Sequence, residues 1–166
     1  MILSDVVEII SGLEAAGVTV WVDGGWCVDA LVGRQVRDHE DLDIAVRLSD
    51  EPALKTWFVE HGFIAWPSVD ESSWNYVVCD AAGRRVDVHI FSFDAEGKNN
   101  YGVAYPHESL SGQAVLGGMT IHCIPADWQF QFKTSFKPRL RDLLDVQALA
   151  ETYGFSIPAS HQMTEF

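Results

Sequence analysis

Asp41 and Asp43 stand on either side of Leu42, and Asp87 lies between Val86 and Val88. Residues two apart in a strand point to the same face. Asp41 and Asp43 would then project side by side, with Leu42 and Ile44 turned the other way. Two carboxylates so placed repel each other unless a cation sits between them. Mg²⁺ is held by one or two carboxylates together with substrate phosphates. Asp87, an acid in an otherwise apolar run, is expensive to bury without a partner. If its strand lies beside that of Asp43, the three carboxylates could hold two ions about 4 Å apart, stabilising both an attacking and a leaving oxygen. Gly24-Gly25 follows a strand-like run and opens a helical one. Glycine lets the backbone approach a phosphate, and a helix N-terminus favours the anion. Taken singly, each feature also has a plain reading: a tight turn, a solvated strand edge, a surface-facing strand position.

The surrounding pattern supplies elements to carry these residues. Val6, Ile9, Ile10 and Leu13 form the apolar stripe of a helix over 2–16, with Ser4 as its N-cap and Gly17 as its stop. Strands are expected over 18–22, 42–48, 63–66, 74–79 and 84–93, with helices over 26–33 and 51–61 between them. Residues 94–111 read as loop. Gly117-Gly118 marks a hairpin between 113–116 and 119–124. Two further helices are expected, from Pro125 to about Phe136 and from Pro138 to near Gly154, and then a loose tail to Phe166. The fold class is therefore α/β (α+β): a mixed β-sheet flanked by helices, with a short helical C-terminal part. The 166 residues suit one domain, about 1–124 forming the core and about 125–154 the C-terminal helices.

Composition narrows the partners. A net charge of −13 opposes stable nucleic-acid binding, which depends on neutralising phosphates with Lys and Arg. Any phosphate handled here would be on a small ligand. An acidic surface suits a cationic small molecule, and equally serves solubility. No apolar run is long enough to span a bilayer, and residues 1–13 read as helix rather than signal peptide, so the expected address is cytoplasmic. Cys27, Cys79 and Cys123 are widely spaced and form no zinc pattern. Lys133, Lys137, Arg139 and Arg141 place four of the eleven basic residues within nine positions, a candidate polyphosphate contact or a solvated helix face.

In this order and topology the glycine pair, the DxD and the lone strand Asp resemble the DNA-polymerase-β-type nucleotidyltransferase superfamily. Trp21-Val22-Asp23-Gly24-Gly25-Trp26-Cys27-Val28-Asp29-Ala30-Leu31 and Arg37-Asp38-His39-Glu40-Asp41-Leu42-Asp43-Ile44 look, more narrowly, like the small antibiotic nucleotidyltransferases, of lincosamide and aminoglycoside 2″ type. Val86-Asp87-Val88-His89-Ile90 resembles their third-carboxylate strand, and the run from Asp142 to Leu149 their C-terminal helix. The resemblance spans roughly 18–153 and is strongest over 21–46. It implies Mg²⁺, two ions by the carboxylate count, ATP or another NTP as donor, and AMP transfer to a hydroxyl of a drug. Asp41 and Asp43 would be metal ligands, and Asp87 the third ligand or the general base. Gly24, Gly25, Arg37, Lys133 and Arg139 are the candidates for nucleotide binding. Trp74, Tyr76, His89 and Asp145 are the candidates for the acceptor. A homodimer is compatible with the sequence. So are two other roles: a toxin–antitoxin-type nucleotidyltransferase acting on a protein or tRNA, and a non-catalytic nucleotide-binding module.

Overall fold

The stripe Val6, Ile9, Ile10 and Leu13 builds helix α1 (Leu3–Ala15), and all four side chains are sealed from solvent. Ser4 is not its cap. The cap lies two residues earlier, at Ile2, and the Asp5 carboxylate accepts the Ile2 N–H at 3.1 Å. In the computed structural model, which describes residues 1–67, 69 and 71–163, the chain continues through β1 (Val20–Val22), α2 (Gly24–Val32), β2 (Asp41–Arg47) and α3 (Glu51–Glu60). It then forms β3 (Ile64–Trp66), β4 (Asn75–Cys79), β5 (Arg85–Phe93) and β6 (Asn99–Gly102). The hairpin β7 (Gly112–Leu116) and β8 (Met119–Cys123) and the helices α4 (Ala126–Thr134) and α5 (Leu140–Tyr153) complete it.

The strands make a mixed sheet in the order β3-β4-β5-β2-β1-β8-β7. β2 runs parallel to β5 and β1 parallel to β8; the other pairs are antiparallel. β4 pairs with β5 over Arg85 to His89, and β6 takes over at Phe91 to Phe93. β6 lies in the stretch expected to be loop. Asn99-Asn100-Tyr101-Gly102 has little intrinsic strand character, and it becomes a strand because β5 offers it a pairing edge.

One face of β2 and β5 is core: Leu42, Ile44, Val86 and Val88 have no exposed surface. Residues two apart share a face, so Asp41, Asp43, Asp87 and His89 all project from the other one. α5 buries Val146 and Leu149, and its last residue, Tyr153, donates from its hydroxyl to the Leu31 carbonyl of α2 at 2.8 Å. The tail differs from expectation as far as it is described, because a short turn at Ala159–His161 buries His161; residues 164–166 lie outside the described residues. Among the described residues no helix is long and apolar enough to cross a membrane.

Candidate active site

The parallel register of β2 and β5 sets Asp43 directly opposite Asp87, and Ala45 opposite His89. Among the described residues, Asp43, Asp87 and His89 form one group whose ligand atoms all lie within 4.8 Å of one another. Asp41, at the first position of β2, is not in that group, although its charge acts on Asp43. Burial, reinforced by Asp41, Asp23 and Asp87, raises the Asp43 carboxyl to about 7 against a pull from His89 in the other direction. Burial lowers the proton affinity of His89, but Asp87, Asp23 and Asp43 outweigh it and lift the ring to about 9. Oδ1 of Asp87 is buried and accepts no hydrogen bond among the described residues. A pocket that holds protons this tightly, with an orphaned carboxylate oxygen, fits a bound cation.

Above the carboxylates lies the start of α2. The glycine pair opens the helix and forms its first turn, two residues ahead of the expected start at 26. Asp23 is the N-cap and accepts the Gly24 N–H at 2.6 Å. Gly24 has φ +62°, and the space a Cβ would need is filled by the Asp43 carboxylate. A Cβ on Gly25 would run into His39 and Arg37. Only glycine lets this helix end settle so close to the acidic floor, and a helix N-terminus favours an anion.

The cleft beside these groups has a volume of about 680 Å³, and Asp41 and Asp87 lie behind its lining rather than in it. Asp43, His89 and Gly24 line it, with Trp74, Phe132, Phe136 and Lys133 on its walls. Lys133 reaches it from α4 with its ammonium 2.7 Å from Asp145. Several expected site residues are elsewhere. Asp145 is fully buried and takes the Arg37 guanidinium in a two-pronged contact at 2.8 and 2.9 Å besides Lys133, so it cannot face an acceptor. Arg37 turns its guanidinium to Asp145 and lies against Gly25, outside the cleft lining. Arg139 is the N-cap of α5, its side chain two-thirds exposed and 3.3 Å from Asp142, and it too lies off the cleft. Tyr76 is on the wrong face of β4. Alternation along the strand gives Asn75 to the cleft and sends Tyr76 toward Glu51 and Lys55 of α3.

Some contributors escaped the sequence reading. Tyr105 donates to Asp23 at 2.7 Å and stands 3.1 Å from Nδ1 of His89. Gln129 donates to the Gly24 carbonyl at 3.3 Å. Nothing local marks these two. Asp23 did carry a signal, since Asp before a glycine-led helix is an N-cap pattern. Asp29 holds the loop before β2 by accepting the Val36 N–H at 2.9 Å and meeting Nε2 of His39 at 2.6 Å.

The family model for the aminoglycoside-2″-adenylyltransferases matches residues 5–149. The chain belongs to this family. A lincosamide resistance protein from Staphylococcus haemolyticus is 53% identical over 36 residues, and a 2″-aminoglycoside nucleotidyltransferase from Klebsiella pneumoniae is 35% identical over 37. Each alignment covers 22% of this chain, and they span 22% and 21% of those relatives' own lengths. The fold is shared far more widely. The lincomycin-bound lincosamide adenylyltransferase LnuA superposes with a TM-score of 0.77 at 21% identity, over 90% of this chain and 96% of LnuA. ANT(2″)-Ia in complex with adenylyl-2″-tobramycin gives 0.70 at 16% identity, over 90% of this chain and 87% of its own.

Proposed function

We propose that the protein is a Mg²⁺-dependent adenylyltransferase that moves AMP from ATP to a hydroxyl of a lincosamide or aminoglycoside drug, giving resistance in the cytoplasm. The observation that carries this is the pairing of Asp43 with Asp87 beneath the glycine-led N-terminus of α2, in a cleft large enough for a small acceptor. Family membership and the drugs named for the relatives agree with it.

Two Mg²⁺ ions, held by Asp41 and Asp43 on the triphosphate side and by Asp43 and Asp87 on the acceptor side, would supply charge neutralisation. The chain's own groups do the rest. The first turn of α2 seats phosphate oxygens on its free N–H groups. Lys133, which lines the cleft while bonded to Asp145, would meet the polyphosphate. Asp87 takes the proton of the acceptor hydroxyl, directly or through one water. The acceptor oxygen bonds to the α-phosphorus, the bond from that phosphorus to the bridging oxygen breaks, and pyrophosphate leaves with the electron pair. Positioning and charge compensation dominate such a reaction.

Pyrophosphate release with each NTP, against lincosamides and aminoglycosides, tests the reading, with mass spectrometry of the drug. A drug heavier by one AMP is expected. Binding of ATP without product on any drug would refute the acceptor class.

A further inference from the structure

The reaction as written leaves one member of the acidic floor without a task. His89 lies two residues beyond Asp87 on β5, on the same face, and its ring completes the group with Asp43 and Asp87. Its two nitrogens have different surroundings. Nε2 is turned toward the carboxylates, 3.5 Å from the orphaned Oδ1 of Asp87. Nδ1 is 3.1 Å from the Tyr105 hydroxyl oxygen. Tyr105 has one hydroxyl proton, and it donates that proton to Asp23 at 2.7 Å. Its oxygen can therefore only accept, so Nδ1 carries the hydrogen between them. The nitrogen left to deal with a cation is Nε2.

Histidines that ligate metals are oriented in this way. The non-ligating nitrogen donates to an oxygen that fixes the ring and its tautomer. Here the fixing chain runs from Nδ1 through Tyr105 to Asp23, which also caps α2 at Gly24. Ring placement and the phosphate-seating turn thus share one support.

We propose that Nε2 of His89 is a metal ligand, making with Asp43 and Asp87 a mixed nitrogen and oxygen site for the acceptor-side cation, and that Tyr105 positions it. This rests on the metal-dependent reading above. It adds that the site is not built from carboxylates alone, with a consequence for metal choice. Imidazole suits late first-row cations such as Co²⁺ and Zn²⁺ better than Mg²⁺, which takes oxygen. The rival arrangement has the ring as an imidazolium paired with Asp87, touching no cation.

The test uses Mn²⁺ alone with the full chain. Its binding is followed by electron paramagnetic resonance, and pulsed measurements detect hyperfine coupling to the imidazole ¹⁴N. Wild type is expected to bind Mn²⁺ with that coupling. His89→Gln should lose the coupling while still binding, and Tyr105→Phe should weaken binding by about tenfold without abolishing it. Competition should show Co²⁺ losing more affinity than Mg²⁺ in His89→Gln. Mn²⁺ bound in wild type, displaced by Asp43→Asn, yet without nitrogen coupling would overturn the proposal and leave the carboxylate reading standing. Failure of Mn²⁺ to bind at all would overturn both.

Discussion

The two sides of the cleft handle charge in opposite ways. On the strand side, Asp43 and Asp87 sit opposite each other with no cationic side chain among the described residues bonded to either, apart from the ring of His89. On the helix side the buried charges are answered. Arg37 and Lys133 close on the buried Asp145, and Asp142 is held by Arg139 with Lys133 3.9 Å away. The strand side is adjacent in register and costs stability until a cation arrives. The helix side joins residues 108 apart in sequence, and it holds α4, α5 and the loop before β2 in place. Unanswered charge marks where a cation would bind, while answered charge marks the frame, Lys133 being the one paired group that also lines the cleft among those named here.

Four substitutions bear on this contrast. Asp43→Asn should lower turnover by roughly a thousandfold, because cation binding is worth several kcal/mol in the transition state. It should leave the melting temperature in the absence of metal unchanged or higher, since burial and Asp41 disfavour the Asp43 carboxylate. A large drop in that melting temperature would mean the strand side is frame after all. Asp145→Ala should do the reverse. It strands Arg37 and Lys133, whose side chains are 15% and 10% exposed, and should destabilise the fold by about 3 kcal/mol or more in urea unfolding. Full stability in this variant would remove the distinction.

Asp142→Asn gives a smaller effect that depends on pH. Burial alone would raise this carboxyl, but the backbone N–H and side chain of Arg139, with Lys133, hold it below the usual range. A folded-state value below the unfolded one adds stability above the unfolded pKa, and this is lost as pH falls through the folded value. The variant should therefore be less stable than wild type at pH 7, and the gap should close below about pH 4. A gap independent of pH would show that packing, not charge, is at stake. Tyr76→Phe should change turnover least. Its hydroxyl faces Glu51 across the sheet from the cleft, and a marked rise in KM for the acceptor would move the site.

Legibility followed the range of the forces involved. The strand-borne acids could be read because alternation is a local rule, and one face of β2 and β5 is uniformly apolar. Tyr76, expected with Trp74 at the acceptor, falls on the α3 face because β4 begins at Asn75 and its side chains alternate from there. β6 was missed because its residues have little strand propensity of their own. From sequence Arg139 reads as a nucleotide contact and Asp145 as an acceptor contact. Whether a charge on a helix meets ligand, solvent or another side chain depends on what packs against it, and no spacing rule carries that.

The sequence by itself determined the succession of elements apart from β6, the core face of the sheet and the three acids in their order, since backbone preference and side-chain alternation act over a few residues. The tertiary structure alone decided that Asp43 opposes Asp87, that Tyr105 reaches Asp23 and His89, and that Asp145 is spent on Arg37 and Lys133. These contacts join segments far apart in the chain. Their strength comes from burial and from charges brought within a few ångströms, and neither exists before the chain is packed.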